Sequence, residues 1–144
     1  MTVTIFVPRD STALALGANE TAAAIEREAK ARGIDIKLVR NGSRGMFWLE
    51  PLVEVATDAG RIGFGPIEEH EVAGLFDAGF TTGGSHPKAL GLTEEIPYLK
   101  KQERLQFVRV GITDPVSLDD YLAHEGYVGL KKAIAMEPAA IVQE

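Results

Sequence analysis

Apolar and polar positions alternate over Thr2 to Val7, a β-branched run that reads as a first strand and stops at Pro8. A short apolar turn from Asp10 to Gly17 follows, with Asp10 or Ser11 placed to cap it. From Asn19 to Arg32 the period becomes helical: Ala22, Ile25 and Ala29 share one face, Glu26, Arg27 and Lys30 face away, and Gly33 ends it. Ile34, Ile36 and Leu38 then alternate with Asp35 and Lys37 as a second strand, and strand, helix and strand predict a right-handed parallel crossover. Leu52 to Thr57 and Arg61 to Phe64 read as a hairpin joined through Asp58, Ala59 and Gly60. The helix expected from Glu68 to Asp77 turns Val72, Leu75 and Phe76 inward, keeps acidic residues in its first turn, and is closed by Gly79.

The order β-α-β-β-β-α over residues 1–80 predicts an α/β domain with a four-stranded mixed sheet covered by helices, an order that resembles the thioredoxin-like arrangement. Periodicity lapses from Thr81 to Pro97, where glycines and prolines mark a linker or extended arm, here taken as 81–104. Phe107, Val108 and Val110 then suggest a short strand or buried extended segment. Ser117 opens a helix with Asp120 three residues on, Tyr127 to Met136 reads as a second amphipathic helix, and Pro138 suits the first turn of a third. That last helix has about two turns before Glu144, so residues 105–144 read as the opening of a further domain.

The stretch Arg40 to Val55, RNGSRGMFWLEPLVEV, interrupts the regular elements and holds the single Trp of the chain. Glycines at 42 and 45, with Asn41 and Ser43, predict a turn-rich loop, and Met46, Phe47, Trp48 and Leu49 supply a large apolar mass just before a strand. Two uses fit these residues. The loop either brings its aromatic side chains onto the core, or cradles an anion through main-chain N–H groups flanked by Arg40 and Arg44. Arg40, Asn41, Gly42, Ser43, Arg44, Gly45 and Trp48 are therefore the candidate interaction loop.

Composition removes whole classes of chemistry. The 144 residues contain no cysteine, which excludes thiol redox chemistry, cysteine nucleophiles and thiolate-held iron-sulfur clusters within them. A formal charge of -6 argues against nucleic-acid binding. No apolar run reaches the ~18 residues of a membrane span, and the N-terminus lacks a signal-peptide pattern, so the expected location is cytoplasmic. His70, His86 and His124 are too far apart for a metal motif and read as surface or helix-end residues. Glu50, Glu68, Glu69 and His70 could assemble an acid-base site, but acidic residues at a helix start ordinarily partner its dipole; no catalytic residue is assigned.

The run Leu105 to Ile134, LQFVRVGITDPVSLDDYLAHEGYVGLKKAI, resembles the opening of the flavin-binding subunit of NADH dehydrogenases, whose members include the FMN subunit of respiratory complex I and relatives in formate dehydrogenases and hydrogenases. It departs from that pattern at Glu125, where the family usually has Gly, and at Gly129, where Ala is usual. Residues 1–80 resemble the thioredoxin-like 2Fe-2S ferredoxin module of the partner subunit. Laying Gly17-Ala18 and Pro51 on that module's landmarks puts its four cluster ligands at Pro8, Ala13, Ser43 and Phe47, none of which binds iron as a cysteine does. The resemblance implies a loop that has lost its cluster, with Phe47 and Trp48 filling the space.

A cysteine-free module ahead of a flavin domain is similar to the β (diaphorase) subunit of NAD-dependent formate dehydrogenases, and PRDSTALALGA and NGSRGMFWLEPLVEV resemble that subunit in particular. The implied role is a docking and scaffold segment of an oxidoreductase. FMN, NAD and a 4Fe-4S cluster are implied for the complete subunit and none for these residues. The implied partners are other subunits of a formate dehydrogenase or NADH dehydrogenase complex, and the isolated segment is expected to self-associate or leave its tail mobile. The alternative is a stand-alone thioredoxin-like module that binds a protein or an anion without redox activity.

Overall fold

The computed structural model describes residues 2–144. Strands β1 (Val3–Phe6), β2 (Ile36–Val39), β3 (Val53–Thr57), β4 (Gly60–Phe64) and β5 (Ala89–Leu92) form one sheet in the order β2-β1-β3-β4-β5. β1 and β2 are parallel, with Ile5 beside Leu38, and the other neighbours are antiparallel. The helices are α1 (Ser11–Ala15), α2 (Ala18–Ala31), α3 (Val72–Asp77), α4 (Pro97–Lys100), α5 (Leu118–Ala123), α6 (Val128–Ile134) and α7 (Pro138–Gln143).

Local chemistry accounts for most boundaries. Asp10 caps α1 by accepting from the N–H groups of Thr12 and Ala13, and Gly33 leaves α2 with φ +67°, a left-handed angle open to glycine. The apolar face read for α2 is buried at Ala22, Ile25 and Ala29, and Thr21 on the same helix donates to the Ile67 carbonyl at 3.0 Å. Ile5, Val7, Ile25, Val53, Val55, Phe64, Val72, Leu75, Phe76 and Phe80 join in one core on this side of the sheet. Phe80 stands edge-on to Phe64 and Phe76, with ring centroids 5.8 and 4.9 Å apart. Alternation along β3 sends Leu52 and Glu54 to the opposite side, where Met46, Leu52 and Leu99 form a second, smaller cluster.

Two expectations are corrected. The sheet has five strands rather than four, because Ala89–Leu92, within the stretch read as a linker, pairs with β4. It is an edge strand with three exposed positions in four and a glycine among them, so it carries no alternation to read. Residues 107–110, expected as a short strand or a buried extended segment, lie in successive turns instead, with Val110 N–H donating to Phe107 O at 3.0 Å. The tail helices form where expected. Ser117 caps α5 through Asp120 N–H, and Glu125 adopts φ +64°, the left-handed region in which glycine is free of steric cost. None of α5, α6 and α7 contributes a buried residue.

Candidate functional site

Residues 40–52 link β2 to β3, and the loop starts in register with the chain leaving β1: Val7 N–H donates to Val39 O and Arg9 N–H to Asn41 O. The four positions expected to mark a lost cluster lie along these two segments. Pro8 is buried and its carbonyl accepts from Arg40 at 3.2 Å; Ala13 is buried on α1. Ser43 is half-buried, accepts from Gly45 N–H at 3.0 Å and donates to Glu50 Oε1 at 3.4 Å. Phe47 is exposed. Among the described residues, no group of three His, Cys, Asp or Glu side chains is placed to hold a metal ion.

The aromatic plug expected of the loop is corrected too. Phe47 and Trp48 are 54% and 61% exposed, and Trp48 stands edge-on to Tyr98 with centroids 5.2 Å apart. A turn of 3-10 helix over Phe47–Leu49 carries both rings outward, and Met46, fully buried, enters the core in their place. An unbranched thioether fits an irregular gap that a rigid indole does not. Met46→Ala is therefore expected to lower unfolding free energy by about 2 to 5 kcal/mol, against less than about 1 for Phe47→Ala or Trp48→Ala. Urea denaturation of the three variants checks the ranking.

The anion cradle is corrected as well. Arg40 donates to the carbonyls of Val7 and Pro8 and to Asn19 Oδ1 at 2.9 Å, while Arg44 lies inside the protein. Its guanidinium grips Glu54 in a two-point pair, Nε to Oε1 at 3.0 Å and Nη2 to Oε2 at 2.8 Å, and Nη1 donates to Glu94. Burial opposes the Arg44 charge, but Glu54 and Glu94 outweigh it and hold its pKa above the ordinary value. Both arginines are thus committed to groups of the chain itself.

Arg61, on β4, completes the arrangement. Its guanidinium lies 3.4 Å over the Phe6 ring and 3.8 Å from Glu54, and donates to Gly111 O at 2.9 Å and Ile112 O at 3.2 Å. Asn41 Nδ2 donates to the same Gly111 oxygen at 2.8 Å, and Gly42 N–H to Thr113 O at 3.3 Å. The loop therefore holds the segment that leads into α5. Glu54, Arg61 and Glu94 were not singled out from sequence. The one available signal was Glu54 itself, a lone carboxylate in the apolar run LVEVA, which needs a buried counter-ion if the strand is central.

Of the residues weighed as an acid-base group, Glu68, Glu69 and His70 stay together on one surface and Glu50 lies apart. Glu68 pairs with His70 at 3.5 Å and Glu69 with Arg27 at 3.3 Å, all exposed, while His86 accepts from Lys88 N–H and His124 lies at the end of α5. Glu50 is separate and 4% exposed. Burial pushes its pKa up to about 7; the Leu52 N–H opposes this, and the Asp10 charge adds to it. A carboxyl whose pKa is raised on folding stabilises fully below its unfolded value, and that contribution is lost as pH rises through the folded value. Stability is accordingly expected to fall between about pH 4.5 and pH 7, by at most about 3 kcal/mol from this group. Glu50→Gln should flatten that part of the profile, as read by denaturant midpoints across the range.

No family model matches the chain. Over 43 residues it is 49% identical to the HndC subunit of an NADP-reducing hydrogenase from Solidesulfovibrio fructosivorans, a match covering 30% of this chain and 9% of that subunit. The chain thus spans about a tenth of that relative's length. A cysteine variant of the thioredoxin-like 2Fe-2S ferredoxin from Aquifex aeolicus superposes with a TM-score of 0.50 at 16% identity, covering 62% of this chain and 98% of the ferredoxin. The fold is thioredoxin-like, an α/β body with a mixed five-stranded sheet. Among the described residues, no helix is long and apolar enough to cross a membrane.

Proposed function

We propose that the chain is the leading part of an electron-transfer oxidoreductase subunit of the NADH-dehydrogenase type, in which the thioredoxin-like body serves as a docking scaffold without a cluster. The observation that carries this reading is the pairing of a ferredoxin-type fold that has no cysteine with a 43-residue likeness to a hydrogenase subunit. Residues 1–80 and the strand added from 81–104 form the body, and 105–144 begin the FMN- and NAD-binding domain. The complete subunit would carry FMN, NAD and a 4Fe-4S cluster and pass electrons between nicotinamide and partner subunits in the cytoplasm. Formate is the electron source this reading assigns, on the likeness of PRDSTALALGA and NGSRGMFWLEPLVEV to diaphorase subunits.

The exposed side chains of the tail support a covering domain. Leu105, Val116, Ile134 and Val142 are each more than two-thirds open to water, and apolar area of this kind is worth roughly 25 cal/mol per Å² when covered. Reading the frame past the Glu144 codon tests the proposal: a continuing frame with a glycine-rich flavin loop agrees with it. A stop codon there removes it and leaves a stand-alone binding module, a reading favoured by one observation, the exposure of Phe47, Trp48 and Tyr98 side by side with the loop. Formate-dependent reduction of NAD by the purified complex tests the electron source separately.

A further inference from the structure

The segment from Arg109 to Asp114 is held to the body through its main chain. Gly111 O accepts from Asn41 and Arg61, Ile112 O from Arg61, and Thr113 O from Gly42 N–H, at 2.8 to 3.3 Å. Every one of these bonds runs from a donor on the body to a carbonyl of the segment, and among the described residues the one side chain of the segment that the body pairs is Asp114, 3.7 Å from Arg9. What the body demands at position 111 is an absence. Gly111 sits at φ +76°, and a Cβ there would come within 2.7 Å of Arg44 Nε and closer still to Cδ. Arg44 cannot withdraw, because Glu54 holds it at two points.

One of the donors is held by the body independently of the segment. Arg61 is fixed by the Phe6 ring and by Glu54, and Asn41 is wholly buried with its Oδ1 left without a partner while Nδ2 faces Gly111. A preorganised, charge-assisted donor loses little freedom on taking up a chain carbonyl. Beyond the segment, α5 to α7 bury nothing of their own, so little else ties them down.

We propose that Asn41, Gly42, Arg44 and Arg61 form a docking site for a turn-forming, glycine-bearing segment, occupied by residues 109–114 of this chain, and that this site fixes where α5 to α7 stand on the body. The proposal goes beyond the electron-transfer reading and holds whether or not a flavin domain follows.

Hydrogen exchange on the full chain tests it with Gly111→Val, which crowds Arg44, and Arg61→Met, which removes donors but keeps the stem. In both variants, amides of 110–117 and Gly42 are expected to exchange at least tenfold faster, with β1, β3 and α2 unchanged. A synthetic peptide VRVGITDP is expected to bind the Gly111→Val chain, whose site is vacated, and the same peptide with valine for glycine is not. Unchanged exchange over 110–117 in both variants overturns the proposal, as does failure of the peptide to bind a chain whose β1 and β3 remain protected. If Gly111→Val loses protection throughout the body, Arg61→Met decides by the same criteria. Loss throughout the body in both variants also overturns it, since these residues would then be core and not a docking site.

Discussion

Replacing Arg44 by methionine is expected to lower unfolding free energy by about 3 to 5 kcal/mol, because it leaves the Glu54 carboxylate buried without its main partner. Glu54 is fully buried on β3, between strands β1 and β4, where neither oxygen reaches water. A charge in that position either finds a counter-ion or takes up a proton. The loss should therefore shrink toward acidic pH, where protonation relieves the unpaired group. Arg44→Met combined with Glu54→Leu is expected to recover most of it, since a pair replaced by apolar groups of similar size is commonly neutral. Urea unfolding at pH 7 and pH 4.5 measures both. A single-variant loss below about 1 kcal/mol would mean that Arg61, 3.8 Å from the same carboxylate, satisfies Glu54 alone.

Phe80→Ala is the other large effect, about 3 to 5 kcal/mol out of the ~5 to 15 kcal/mol that holds a domain of this size. The ring is fully buried and contacts Phe64 from the sheet and Phe76 from α3, so its removal opens a cavity where strand and helix layers meet. Both edge-on geometries are lost with it, each worth about 0.5 to 1.5 kcal/mol beyond area. Phe80→Leu refills most of that volume and should recover more than half the loss in the same denaturation experiment. Equal losses for Ala and Leu would show that ring geometry, not volume, carries the contribution of Phe80.

The elements that could be read from sequence are those whose pattern was set by one buried face. β1, α2, β2 and the β3-β4 hairpin each face the larger core, so their apolar spacing records their structure. β5 does not, because its Ala, Leu, Gly and Leu sit on the sheet edge and its place depends on β4 already being there. The loop was legible as a loop and misread in its contents. Side-chain size pointed to Phe47 and Trp48 as the buried pair, whereas a single 3-10 turn carries them outward and Met46 inward, where it meets nearby Leu52 and Leu99 far along the chain. Arg44 and Glu54 lie ten positions apart on different elements, and nothing local says that they meet. Glu125 was legible as a departure, and its left-handed backbone supplies the reason a glycine is the easier residue there.

The position of Trp48 gives the molecule a built-in reporter. As the sole indole, set in water against Tyr98, it alone can emit the red-shifted fluorescence of a wet tryptophan, and small quenchers in solution reach it freely. Any macromolecule that settles on this side of the thioredoxin-like body must shield the ring, turning the emission blue and dimming the effect of iodide. A partner that settles on the far side, over α2 and α3, leaves the signal as it was. One unlabelled spectrum therefore maps where an approaching subunit lands.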